Sequence, residues 1–174
     1  MEEEVPESKS KGLLKDDFMS VDDIRKAYKL MESSGEEIEV IGGGSKELIS
    51  AAEVFLGVTF PDDYRYFLEK FGALSFEAEE FYGITKSGLK AKSVPSVIFA
   101  TMAARDRGDI SNSMINVKSS GYGPSFCIDT SGNGDSAPVV EVGLSFKRDG
   151  VKVQVAKSFG EFFLNEIERA VADL

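Results

Sequence analysis

The chain has 174 residues, 42% hydrophobic and 29% charged, which is enough for one domain with a proper core and too little for two. Its formal charge of −10, from 30 acidic and 20 basic residues, has the wrong sign for a phosphate backbone, and no residue is histidine. Ser-His-Asp and Cys-His catalysis and histidine metal ligation are thereby excluded within this chain, and the lone Cys127 can form no internal disulfide.

Residues 1–19 mix Glu, Ser, Lys and Asp with few apolar positions and read as a flexible acidic tail, leaving 20–174 as a single domain. An N-terminal helix is expected over 20–34, with Ser20 as its N-cap and Val21, Ile24, Tyr28 and Met31 on one face. Glu37 to Ile41 alternates polar and apolar residues and predicts a short strand. Ser45 then caps a helix whose buried face is Leu48, Ile49, Ala52, Phe55 and Leu56.

The next helix has both of its ends written into the sequence. Pro61 suits the first helical position, and Asp62 and Asp63 complement the positive end of the helix dipole. Tyr64, Phe67, Leu68 and Phe71 form one apolar stripe, with Asp63, Arg65 and Glu69 off it, and Gly72 marks the stop. Beyond it Phe76, Phe81 and Tyr82 point to strands, and Pro95 opens a helix that ends near Gly108. Four strands follow at 114–117, 125–129, 138–142 and 151–155, separated by turn clusters as in an antiparallel meander. Ser158 and Glu161 make a capping box for a last helix that buries Phe159, Phe162, Phe163, Ile167, Ala170 and Leu174. Helices packed on a mainly antiparallel sheet describe an α+β fold.

Three patterns mimic functional motifs. Gly42, Gly43 and Gly44 between strand and helix resemble a phosphate cradle, but Glu47 stands where a dinucleotide fingerprint needs glycine, and Ser45-Lys46-Glu47 is no P-loop ending. Asp129, Ser131, Asn133, Gly134 and Asp135 space their oxygens like a calcium loop, yet the twelfth residue is Val140 and the flanks are strands. Lys86, Lys90, Lys92, Arg105 and Arg107 cluster with only Phe99 interleaved for base stacking, so they read as a solvated surface. Glu79 with Glu80, and Asp62 with Asp63, are adjacent, and neighbours in sequence do not face one another. Cys127, between Phe126 and Ile128, reads as a buried thiol. No apolar run approaches the ~20 residues of a membrane span, and the opening M-E-E-E-V-P-E is unlike a secretory leader, so a cytoplasmic protein is expected.

Leu56, Gly57, Phe60, Pro61, Tyr64, Phe67, Leu68 and Gly72, then the block Ser125 to Glu141 and the block Ser158 to Leu164, resemble in order the signature of the SUKH superfamily. That group includes fungal cell-wall-synthesis regulators and many bacterial immunity proteins. The resemblance implies a SUKH-like α+β domain and a non-enzymatic role with no catalytic residue, metal or cofactor. Its partner would be a cognate protein toxin, for instance a nuclease, blocked by steric occlusion, and neither nucleic acid nor membrane would be bound. A regulatory adaptor of the cell-wall-regulator type is the alternative, with the tail and first helix as docking elements. A calcium-binding protein or carboxylate-based enzyme is a third reading. An acidic surface speeds encounter with a basic partner. The candidate contact residues are Glu77, Glu79, Glu80, Tyr82, Asp129 and Asp135, taken as exposed acids and aromatics near the sheet.

Overall fold

The computed structural model describes residues 10–132, 137–143 and 150–174. Helices α1 (Ser10–Ser34), α2 (Lys46–Leu56), α3 (Asp62–Phe71), α4 (Val97–Arg107) and α5 (Phe159–Ala172) surround two antiparallel sheets. Strands β1 (Ile38–Val40), β2 (Leu74–Phe76) and β3 (Glu79–Phe81) form the small sheet. Strands β4 (Met114–Ser119), β5 (Ser125–Asp129), β6 (Val139–Val142) and β7 (Lys152–Ala156) form the larger one, ordered as a meander. The Tyr82 N–H donates to the Val117 carbonyl at 2.8 Å, which ties β3's end to β4.

Local capping explains where the helices begin. Ser45, Ser96 and Ser158 each accept a backbone hydrogen bond three residues on, from Leu48, Phe99 and Glu161, at 3.1–3.2 Å. Glu161 reaches back to the Lys157 N–H, one residue before the cap, at 2.5 Å. Pro61 stands at the N-cap of α3 rather than its first turn, a one-residue difference.

The main core lies between α1, α3 and α5 and the inner faces of the sheets. Tyr64 and Phe67 of the α3 stripe meet Phe159 at 4.8 and 5.1 Å between ring centroids, and Phe163 carries the contact on to Phe81 at 4.7 Å. A smaller core of Ala104, Ile110, Met114, Cys127, Val140 and Val142 fills the space between α4 and the other face of the larger sheet.

Several local expectations are corrected. Helix α1 starts at Ser10, so residues 10–19 are helical in backbone while 1–9 lie outside the described residues. Ser20 is therefore inside the helix, and it is buried. Phe55 is 50% exposed, because the buried stripe of α2 is the narrower set Ile49, Ala52 and Leu56. Leu174 is exposed beyond the end of α5. The glycine triplet is more than a flexible link: Gly42 and Gly44 N–H groups donate to the Phe71 and Leu68 carbonyls at 3.0 and 2.9 Å, at the C-terminal end of α3. A Cβ on Gly43 would sit 2.1 Å from the Glu69 carbonyl oxygen, so only glycine fits there.

The last correction matters most. Asp63, expected off the stripe as a surface acid, is buried under three helices. Its Oδ2 accepts from Ser20 Oγ of α1 at 2.5 Å and from the Gly160 N–H of α5 at 2.8 Å, while Oδ1 accepts from the Tyr64 N–H at 2.8 Å. The carboxylate thus sits at the N-termini of α3 and α5, where both dipoles favour negative charge. At the same point α1 and α5 touch backbone to backbone, since a Cβ on Gly160 would lie 2.0 Å from the Ser20 carbonyl oxygen. Helix α1 is accordingly part of the core, not an appendage. Asp63→Ala strands a hydroxyl and two amides in the interior and should lower stability by roughly 3 kcal/mol, given what buried hydrogen bonds to a charged acceptor contribute. Asp62→Ala, one residue away and exposed, should change it by less than about 1 kcal/mol. Urea denaturation of the two variants checks the contrast.

Candidate protein-binding site

Groups that could do chemistry are mostly engaged in holding the fold. Burial, and after it the charge of Asp129, pushes the Cys127 thiol up to about 12 against the opposing pull of Arg105, so no thiolate is present near neutral pH. Arg105, read in the sequence as one of a solvated basic set, instead donates to the Leu56 and Asn112 carbonyls at 2.7 Å and to that of Met114 at 3.2 Å. It clamps the end of α2 to the approach of β4. Lys86, Lys90, Lys92 and Arg107 are exposed as expected.

A cleft of about 900 Å³ opens between the α2–α3 connection and the end of β5, lined by Glu53, Val54, Thr59, Pro61, Asp62 and Asp129 among others. Two of its three carboxylates are taken. Glu53 pairs with Arg65 and also accepts the Phe60 N–H at 3.2 Å, and Asp129 pairs with Lys152 at 2.5 Å. Burial works to raise the Asp129 carboxyl, but hydrogen bonds from Lys152 and from the Ser131 side chain and backbone outweigh it, so it lies below the usual carboxylate value. Among the described residues no three His, Cys, Asp or Glu side chains come together as a metal site. Asn133, Gly134 and Asp135 of the calcium-like spacing lie outside those residues.

The small sheet sorts its acids by the pleat. Register places Glu39, Ser75 and Glu80 in one row across the three strands, and Ile38, Phe76 and Glu79 in the next. The second row faces inward. There Glu79 meets Lys118 at 2.7 Å, Lys118 meets Glu166 of α5 at 3.3 Å, and the ammonium stands 5.3 Å from the centre of the Phe126 ring. The first row faces out. Beside it lie Glu36, Glu37 and Glu77, the last at the β2–β3 turn with φ 52°, around a depression of about 300 Å³. Among the described residues none of Glu36, Glu37, Glu39, Glu77 and Glu80 has a cationic partner within 4 Å.

The six sequence candidates therefore separate. Glu77 and Glu80 share the acidic outer face. Glu79 is turned inward to Lys118. Tyr82 is buried and not the exposed aromatic expected, its carbonyl accepting the Tyr64 hydroxyl at 2.7 Å. Asp129 is also buried, in its pair with Lys152, and Asp135 lies outside the described residues. Glu36, Glu37 and Glu39 were not among the candidates. Their signal was the glutamate run entering β1, which acquires meaning only once β1 is paired with β2.

A lowered carboxyl pKa contributes stability above the ordinary value of about 3.9, and that contribution fades as pH falls through the lowered one. Lys152→Met should thus destabilise the fold by about 1 kcal/mol at neutral pH. The gap from the unsubstituted protein should close as pH falls through the lowered Asp129 value, below which the carboxyl is protonated in both, as melts across the pH range would record. Among the described residues no helix is long and apolar enough to cross a membrane. A crystal structure of a protein from Pseudomonas syringae pv. tomato is similar at 15% identity and a TM-score of 0.49, over 64% of this chain and 81% of that one. The SUKH_6 family, described as SMI1-KNR4 cell-wall, matches residues 46–163, from the first residue of α2 into α5. That span covers more than half of the chain and contains α3, β2 to β7 and their aromatic core, and by it the chain belongs to the SUKH superfamily.

Proposed function

We propose that this chain is a non-enzymatic binding protein of the immunity type, which captures a cognate toxin in the cytoplasm and occludes its active site or substrate groove. The observation that carries the reading is the outer face of the small sheet. It offers five glutamates with no cationic partner among the described residues, whereas Asp63, Glu53, Glu79, Asp129 and Glu166 are all engaged inside. Unpaired, like-signed charge in one place repels itself, and it is relieved when a basic surface arrives. A toxin that grips nucleic acid carries such a surface. Membership of a generally non-enzymatic family and the protonated state of Cys127 support the absence of catalysis.

The adaptor reading loses the device that distinguished it. A helix that only recruits a partner can be deleted without harm to the fold, whereas α1 is packed into the core through Ser20 and Gly160. Removing residues 1–35 would unfold the domain rather than uncouple a partner.

Co-expression with the product of the neighbouring gene tests the immunity role. A toxic neighbour should be neutralised and should co-purify, with affinity falling at least tenfold between 50 and 500 mM salt, since exposed charges are screened over ~10 Å at 0.1 M. A toxic neighbour that remains toxic and unbound, or the lack of any toxic neighbour, would overturn it.

A further inference from the structure

Resting on that protein-binding reading, we infer that the contact is made by strand addition. An extended segment of the partner lies along β1 as a fourth strand of the small sheet, with basic side chains on the outer face and apolar ones on the inner.

Strand β1 is the edge. In the order β1-β2-β3 it pairs with β2 alone among the described residues, and the opposite end of the sheet leads toward β4. Which of its backbone groups are open follows from the pairing. The Ile41 N–H donates to the Ala73 carbonyl at 3.1 Å, so residues 39 and 41 turn their polar groups toward β2. Ile38 and Val40 then turn theirs the other way, toward the vacant side. An edge of this kind is a ready template for another strand.

The side chains say what kind of strand fits. Outside, Glu37 and Glu39 flank any incoming residue, and Glu36 and Glu77 extend the negative ground. Lys or Arg there gains the missing counter-charge. On the other side a groove of about 410 Å³ runs past Val40, Ile41, Val94 and Pro95, with Val40 49% and Val94 44% exposed. A β-branched or aliphatic side chain would cover both. Alternation of basic and apolar residues matches the period of two that a strand imposes.

A second copy of this chain is the wrong occupant. Antiparallel pairing of two β1 edges would bring glutamates of one copy against those of the other, and like charges opposed across strands are destabilising. β1 also precedes the family-matched span, so this edge is not a property carried by residues 46–163. The other sheet's edge, β7, leads out of residues 144–149, which lie outside the described part, and nothing shows what lies against it.

The edge can be tested without the toxin. The probe is the capped peptide Ac-Lys-Val-Lys-Val-Lys-Val-Lys-NH2, titrated into the isotope-labelled chain while amide signals and their hydrogen exchange are followed. Binding should weaken at least tenfold from 50 to 500 mM salt and should slow exchange at the Ile38 and Val40 amides. Val40→Pro, which removes an outward N–H that the sheet does not use, should weaken it at least tenfold. Should that variant fold poorly, the double reversal Glu37→Lys/Glu39→Lys, at side chains with no cationic partner among the described residues, should give the same loss, while Glu168→Lys on α5 should not. Lack of binding at millimolar peptide would overturn strand addition at β1. So would binding that both β1 variants retain, protection elsewhere than at Ile38 and Val40, or dimerisation of the chain through this edge. Neutralisation of the toxin combined with any of these results would leave the binding function standing and remove only the strand.

Discussion

Three helices that start or cross at one place share a single negative charge. The Asp63 carboxylate accepts from a side chain of α1, from the first turn of α5 and from its own helix, and each of those donors would be unsatisfied in the interior without it. Burial of a carboxylate is tolerable here because two helix N-termini and three short hydrogen bonds stand in for water. From the same helix, the Tyr64 hydroxyl reaches the Tyr82 carbonyl, and the backbone of Tyr82 reaches β4. The bundle and the two sheets are thereby referred to α3. The apolar stripe of that helix supplies the free energy of burial, while Asp63 fixes the geometry in which burial takes place.

How much of this could be read from the chain depended on distance along it. The caps at Ser45 and Ser158 were legible because donor and acceptor are three residues apart, and the strict alternation of 151–155 announced a strand for the same local reason. Asp63 was misread because its partners stand 43 and 97 residues away, and its place in the first turn of a helix gave a sufficient surface explanation. Nothing local to Gly160 shows that it marks where α1 and α5 cross. The aromatic Tyr82 followed the rule that aromatics favour strands, but its burial comes from packing across the two sheets.

The candidate site was half legible for a related reason. Adjacent glutamates at 79 and 80 were recognised as pointing apart, but which one would face water depended on register. That register is set by the β2–β3 pairing of Ser75 with Glu80 and Phe76 with Glu79, and the face acquires its other acid, Glu39, only when β1 is paired with β2. One residue of slip would have sent Glu80 to Lys118 and Glu79 outward. Lys118 itself, in a strand otherwise buried, has its charge answered twice, by Glu79 and Glu166. Such inward pairs discriminate among registers even where they add little to stability.

The pleat of the small sheet also separates two kinds of evolutionary freedom. Residues 38, 74, 76 and 81 pack into the main core, and Phe81 carries that packing directly to Phe163 of α5. Glu37, Glu39 and Glu80 sit on the outer face with no cationic partner among the described residues, so their sign and polarity are open to mutation at little expense to folding. A lineage carrying this domain can rewrite its outer face one codon at a time, while the scaffold beneath stays fixed.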